Sequence, residues 1–247
     1  MRARVSVLFL IVSSRVFAQT EPLPSSLASV GTAHLPNLAG AIPARQLLIP
    51  PKAIKELQRA QRALVAGDIH SSARHLETAL QIYPECLEAH NSLGARYIDL
   101  LEYGKAAAEF QKAIDIDPRV MPPVSNLSVA LFLLQRYPEA EAAARRALDL
   151  DPRNPTARYM LGTILATERR NPVEAVNLLS QTRSEFADSR LLLAMVFTRL
   201  GNLEEAKNEL REYLKAPDPA KKHNVEHWLE KLTQSPTSNR APEPGTP

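Results

Sequence analysis

Cysteine is all but absent from this 247-residue chain. Cys86 is its one copy, so no internal disulfide can hold the fold together. Glycine is scarce, at 8 residues, and aromatic residues make up 5%. That composition disfavours an aromatic-rich sheet and suits closely packed helices built from alanine and leucine. There is no Gly-rich phosphate loop, no G-x-S-x-G and no Cys-x-x-Cys, so the commonest nucleotide, acyl-transfer and redox motifs are missing. A long apolar run is missing too. The mostly apolar stretch Val5–Val12 ends at Ser13, Ser14 and Arg15, far short of the about 20 residues that a spanning helix needs.

A real excess of positive charge is also lacking. The chain has 30 Lys and Arg against 27 Asp and Glu. Residues 1–18 hold Arg2, Arg4 and Arg15 and no acid. Without that segment the chain is balanced, so the basic pI gives no reason to expect nucleic acid as a partner. The same segment reads as an export signal: Arg2 and Arg4, then the apolar stretch, then Val16-Phe17-Ala18 at a cleavage site, with an uncleaved membrane anchor as the less favoured reading. Cleavage would leave a chain that starts at Gln19 and has no membrane span. Residues 19–51 read as a Pro- and Ser-rich linker whose second half, with Leu47, Leu48 and Ile49, has the apolar content to pack on the first repeat. The tail, 235–247, is too polar to order itself.

What the sequence does contain is a period. Pro84, Pro118 and Pro152 stand 34 residues apart, as do Ala79, Ala113 and Ala147, and Leu93, Leu127 and Leu161. Gly94, Ser128 and Gly162 share the interval. A repeat of this length is one helix–turn–helix unit that buries its apolar face only by stacking on the next. Each proline ends a second helix, which it cannot continue. Gly94 and Ala106 are small where two helices of a hairpin cross, and Leu93, Tyr97 and Phe110 fill the space around them. In the fourth repeat, Asn171-Pro172 reads as an N-cap followed by proline in the first turn. Five hairpins fit between residues 52 and 217. A final helix with Val225, Trp228, Leu229 and Leu232 on one face fits as a cap, so the repeat domain spans 52–234.

Leu93-Gly94, Tyr97, Ala106, Phe110, Ala113 and Pro118 closely resemble the tetratricopeptide repeat signature, and Leu127, Ser128, Leu131, Ala140, Ala144, Ala147 and Pro152 repeat it. The resemblance implies an all-α, right-handed superhelical solenoid of about five hairpins and a capping helix. It implies a non-catalytic scaffold that binds a protein or peptide partner along a concave face lined by the first helix of each hairpin. By matched spacing that face takes Asn91, Ile98 and Asp99, then Ser125 and Phe132, then Tyr159 and Thr163, and finally Met195 and Arg199, with Phe132 and Tyr159 as aromatic anchors. A basic clamp for a peptide carboxylate is not assembled, because Leu57, Asn91, Ala95 and Met160 occupy its positions. Two other arrangements are compatible with such a groove: occupation by the chain's own N-terminal linker, or by a second copy in a homo-oligomer.

Catalytic readings are weak. His223-x-x-Glu226-His227 spells a zinc-peptidase motif in reverse order, but both histidines point away from the apolar stripe of their helix and no third ligand is in reach. His70 and His75 read as surface residues, and no feature calls for a cofactor. Cys86, between two repeats, reads as a loop residue, with an intermolecular disulfide as the less favoured option. Asn126-Leu-Ser128 spells a glycosylation sequon but lies inside a helix, where packing or a groove role fits better.

Overall fold

Alanine-rich hairpins closed by proline account for the architecture. In the computed structural model, which describes residues 49–234, there are eleven α-helices and no strand among the described residues. They are α1 (Pro51–Val65), α2 (Ile69–Ile82), α3 (Leu87–Asp99), α4 (Tyr103–Ile116), α5 (Met121–Leu133) and α6 (Tyr137–Leu150). These are followed by α7 (Pro155–Thr167), α8 (Pro172–Ser180), α9 (Asp188–Arg199), α10 (Leu203–Tyr213) and α11 (Lys222–Gln234). From α1 to α10, each odd helix pairs with the even helix after it, giving five hairpins. The segment read as an export signal, most of the segment read as a linker and the tail lie outside the described residues.

The chain forms two units. In residues 49–186, hairpins one to four stack in sequence: α2 packs on α3, α4 on α5 and α6 on α7, and the first helices also meet, α3 with α5 and α5 with α7. In residues 187–234, α9 and α10 form the fifth hairpin and α11 packs on α10. Val225, Trp228 and Leu232 are the buried residues of α11, which is the one-sided pattern of a terminal cap. This is an all-α repeat solenoid.

Small residues set the distance between paired helices. A methyl group on Gly94 would stand 2.6 Å from the Phe110 ring, and one on Gly162 2.8 Å from Leu179. Leu76, Phe110 and Leu161 fill the hairpin interiors, and Ala106, Ala113, Ala140 and Ala147 are fully covered. Turns recur as well. Gly67, Leu101, Gln135, Arg169 and Gly201 all have positive φ, and each follows the first helix of its hairpin at the position where a left-handed residue ends a helix.

A second contact recurs within hairpins, the first two of its three instances 34 residues apart. His75 Nδ1 meets Glu56 Oε2 at 2.8 Å, His90 Nδ1 meets Glu109 Oε2 at 2.6 Å, and Arg190 donates to Glu209 at 3.1 Å. All three link the first helix of a hairpin to the second across 19 residues, with the acid on either helix. His75 is therefore partnered and is not a bare surface residue.

Asn171 departs from expectation. Pro172 does occupy the first turn of α8, but Asn171 adopts a left-handed conformation, φ 43°, and makes no side-chain cap. Its amide donates instead to Glu174 Oε2 at 3.4 Å. The extra residue in this turn forces the chain into a conformation that asparagine tolerates better than most residues.

Candidate partner-binding surface

The first helices of hairpins two to four sit in one unit and carry an unusual set of covered polar side chains: Asn91, Ser125, Asn126, Ser128 and Thr163 are all buried. Each needs a hydrogen bond to offset its lost hydration. The hydroxyls find theirs on their own helices. Ser125 Oγ donates to the Pro122 carbonyl at 3.0 Å, Ser128 Oγ to Ser125 O at 2.6 Å, and Thr163 Oγ1 to Tyr159 O at 2.7 Å. This local bonding is a common solution for Ser and Thr inside helices.

The asparagines bond across helices instead. Asn126 Nδ2 on α5 donates to Asn91 Oδ1 on α3 at 3.0 Å. Among the described residues Asn91 Nδ2 and Asn126 Oδ1 make no other bond, so the pair keeps one amide donor and one amide acceptor uncommitted. Their separation of 35 residues, one more than the repeat, brings them together on neighbouring helices. The helices that hold them start differently. Pro122 and Pro123 stand in the first turn of α5, where a missing N–H costs nothing. Asn154 caps α7 by accepting from Ala157 N at 2.7 Å, and its own amide reaches Met121 Sδ.

The positions expected on the concave face divide into several groups. Tyr159 is 0% exposed, its ring stacked on Phe186 at 4.5 Å between centroids. It is a packing residue, and its reading as a surface anchor is corrected: the turn that follows α8 brings Phe186 over its ring. Phe132 is 8% exposed and tilted against Tyr137 at 5.4 Å. Ile98 belongs to a core cluster with Ala106, Phe110 and Ala130. Ser125 and Thr163 are covered and donate to backbone. Asp99 is half-buried and accepts from Arg96 Nε at 3.0 Å. Met195 is buried and Arg199 exposed on α9, in the other unit. Asn126, read from sequence as an unused sequon, is the residue that completes Asn91.

An open cleft of about 630 Å³ is lined by residues of α2, α3 and α4. Leu80, Pro84, Leu93 and Ile116 line it together with Glu77, Tyr97, His90, Glu109 and Lys112. Burial pushes the Tyr97 phenol well above its usual range, and acceptance of its proton by Glu77 at 2.7 Å adds to the shift. Burial alone would push the Glu109 carboxyl up, but hydrogen bonds from His90 and Lys112 hold it below the usual carboxylate range. Cys86 is buried at the head of α3 and burial pushes its thiol up to about 11. A buried thiol of that kind is a poor partner for an intermolecular disulfide. His223 and His227 stand exposed on α11, and among the described residues no three metal-ligating side chains cluster. None of the described helices is long and apolar enough to cross a membrane.

Stacked helical hairpins, packed through small residues and mostly ended by proline, define a repeat scaffold of the protein-interaction class. The chain belongs to the tetratricopeptide repeat family: one family model matches residues 57–120 and 127–182, and a second tetratricopeptide repeat model matches 187–217. Similar folds occur in solved structures. TTC0263, a thermophilic protein of this family from Thermus thermophilus, is 18% identical, with 73% of this chain and 98% of that one aligned and a TM-score of 0.57. YrrB, a protein of this family with an unusual peptide-binding site, is 20% identical over 72% of this chain and 92% of that one, TM-score 0.57. PilF of Pseudomonas aeruginosa is 20% identical over 74% and 84%, TM-score 0.63. At these identities the likeness shows the fold. No curated protein matches the chain. Members of the family bind protein partners and are mostly non-catalytic.

Proposed function

We propose that this chain is an exported, non-catalytic scaffold of the periplasm or cell envelope, and that it holds an extended segment of a partner protein along α3, α5 and α7. The Asn91–Asn126 pair carries this reading. A peptide backbone offers a carbonyl and an N–H to each neighbour, and the pair's uncommitted Nδ2 and Oδ1 match one of each. Such bonds are independent of side chain, so they bind main chain and leave selectivity to the surrounding apolar surface. Near-neutral charge outside residues 1–18 favours short-range contact over long-range steering. YrrB, similar in fold, has a peptide-binding site. The signal-like residues 1–18 support export.

The test uses the chain that starts at Gln19. Replacing both asparagines by leucine removes the donor and acceptor and leaves an apolar pair of similar size. Capture of a partner from envelope extract should be lost while helix content is unchanged. A partner captured equally by both chains would refute the site. Export is tested separately by sequencing the N-terminus of protein from its native host, which should begin at Gln19.

A further inference from the structure

The first hairpin leaves half-open what its neighbours close. Leu57, Gln61 and Leu64 on α1 are equivalent by the 34-residue interval to Asn91, Ala95 and Ile98 on α3. The α3 residues are all less than a tenth exposed, whereas the α1 residues are only half-buried. Val65, next on α1, is 79% exposed. Helix α3 has hairpins before and after it; among the described residues α1 has one only after it. Gln61 Oε1 is moreover buried without a hydrogen bond, which is costly unless a donor reaches it. A terminal repeat ordinarily requires a cap. The fifth hairpin has α11, and among the described residues the first hairpin has none.

The chain itself points to the occupant. Ile49, where the described residues begin, packs against the cluster of Ala60, Ala73 and Leu76, so the polypeptide enters the first hairpin along its own apolar surface. Just before it, residues 35–48 carry Leu35, Leu38, Ile42, Leu47 and Leu48 and no acid. Fully extended, fourteen residues reach roughly 45–50 Å, about twice the ~22 Å of a fifteen-residue helix. The segment is long enough to cover α1 from end to end without leaving the hairpin. Being tethered at Ile49, it binds at high effective concentration, an advantage no separate partner has.

We infer that residues 35–48 are the missing neighbour of α1: an intramolecular cap that closes the Leu57–Leu64 stripe and supplies a backbone N–H to Gln61 Oε1. This goes beyond the partner surface on α3, α5 and α7 and does not depend on it.

Hydrogen exchange on the full chain tests it. Amides within 35–48 and within 54–65 are both protected in the wild type. In Leu47→Asp/Leu48→Asp, exchange within 54–65 accelerates at least tenfold while 121–150 keeps its rates. Ser25→Asp/Ser26→Asp, with the same added charge outside the segment, leaves both regions unchanged. An unprotected 35–48 in the wild type overturns the cap whether or not the variant folds. So does protection of 54–65 that rises with protein concentration, which would assign the stripe to a second copy, or protection that survives the Leu47/Leu48 change.

Discussion

Gly94 lies directly on the ring of Phe110, the ring atom Cε1 only 2.6 Å from where a Cβ would stand. Phe110 is 1% exposed and has nowhere to move. Gly94→Ala therefore forces helices α3 and α4 apart and costs about 1–3 kcal/mol. Gly104, also in α4, has open space around it, and Gly104→Ala stabilises by about 0.4–1 kcal/mol through the unfolded chain. Urea midpoints should move in opposite directions for the two variants. A shift in the same direction would show that the crossing is not set by glycine.

Leu101 holds φ 63° in the turn where the first and fifth hairpins use Gly67 and Gly201. A left-handed conformation costs a branched side chain about 1–2 kcal/mol. Glycine recovers most of this, less its own entropy of about 0.5–1 kcal/mol. Leu101→Gly should thus raise the thermal midpoint by a few degrees. A lower midpoint would mean that the half-exposed leucine packs more than it strains.

Tyr159 and Phe186 bury one another, so Tyr159→Ala acts on stability before it acts on any partner. Removing a fully covered aromatic ring costs about 3–5 kcal/mol. Chemical denaturation should show that loss. A variant of wild-type stability that merely loses partner capture would return Tyr159 to the surface.

Glu109 ties stability to pH. His90 and Lys112 hold its carboxyl below the ordinary value, so the folded state binds fewer protons than the unfolded chain in the acid range. The stabilisation is complete above the unfolded value of about 4.3, and is lost as pH falls through the lower folded value. Glu109→Gln should therefore lower the urea midpoint at neutral pH, and the gap to wild type should close in strong acid. A gap independent of pH would point to packing alone.

Lys221 donates to both oxygens of Asp188, at 2.8 and 2.9 Å, and both side chains are covered. Burial holds the lysine below its usual range, against the pull of Asp188. Breaking such a pair leaves a lone buried charge, so Lys221→Ala should cost about 3–5 kcal/mol, whereas Asp188→Leu with Lys221→Met should cost far less or nothing. Equal losses in the single and double variants would show that the pair contributes through packing.

The hairpins, their number, the tight crossing at Gly94 and the cap at Val225 and Trp228 were all legible in the sequence, because each requirement is local and repeats. A close helix crossing requires a small residue, a helix end tolerates proline, and a one-sided helix shows its stripe. The period alone fixes which residues are equivalent. It cannot say which equivalent residues stay open, because that is set by what the neighbouring segment places on them. Tyr159 and Asn91 occupy the same position two repeats apart, yet Phe186 closes over one ring, and Asn126 leaves the other residue an uncommitted donor. His90 and Glu109 pair across a hairpin that in the next repeat holds Val124 and Ala143. These outcomes depend on the side chain that arrives from another helix or turn, and only tertiary packing brings that side chain within bonding distance.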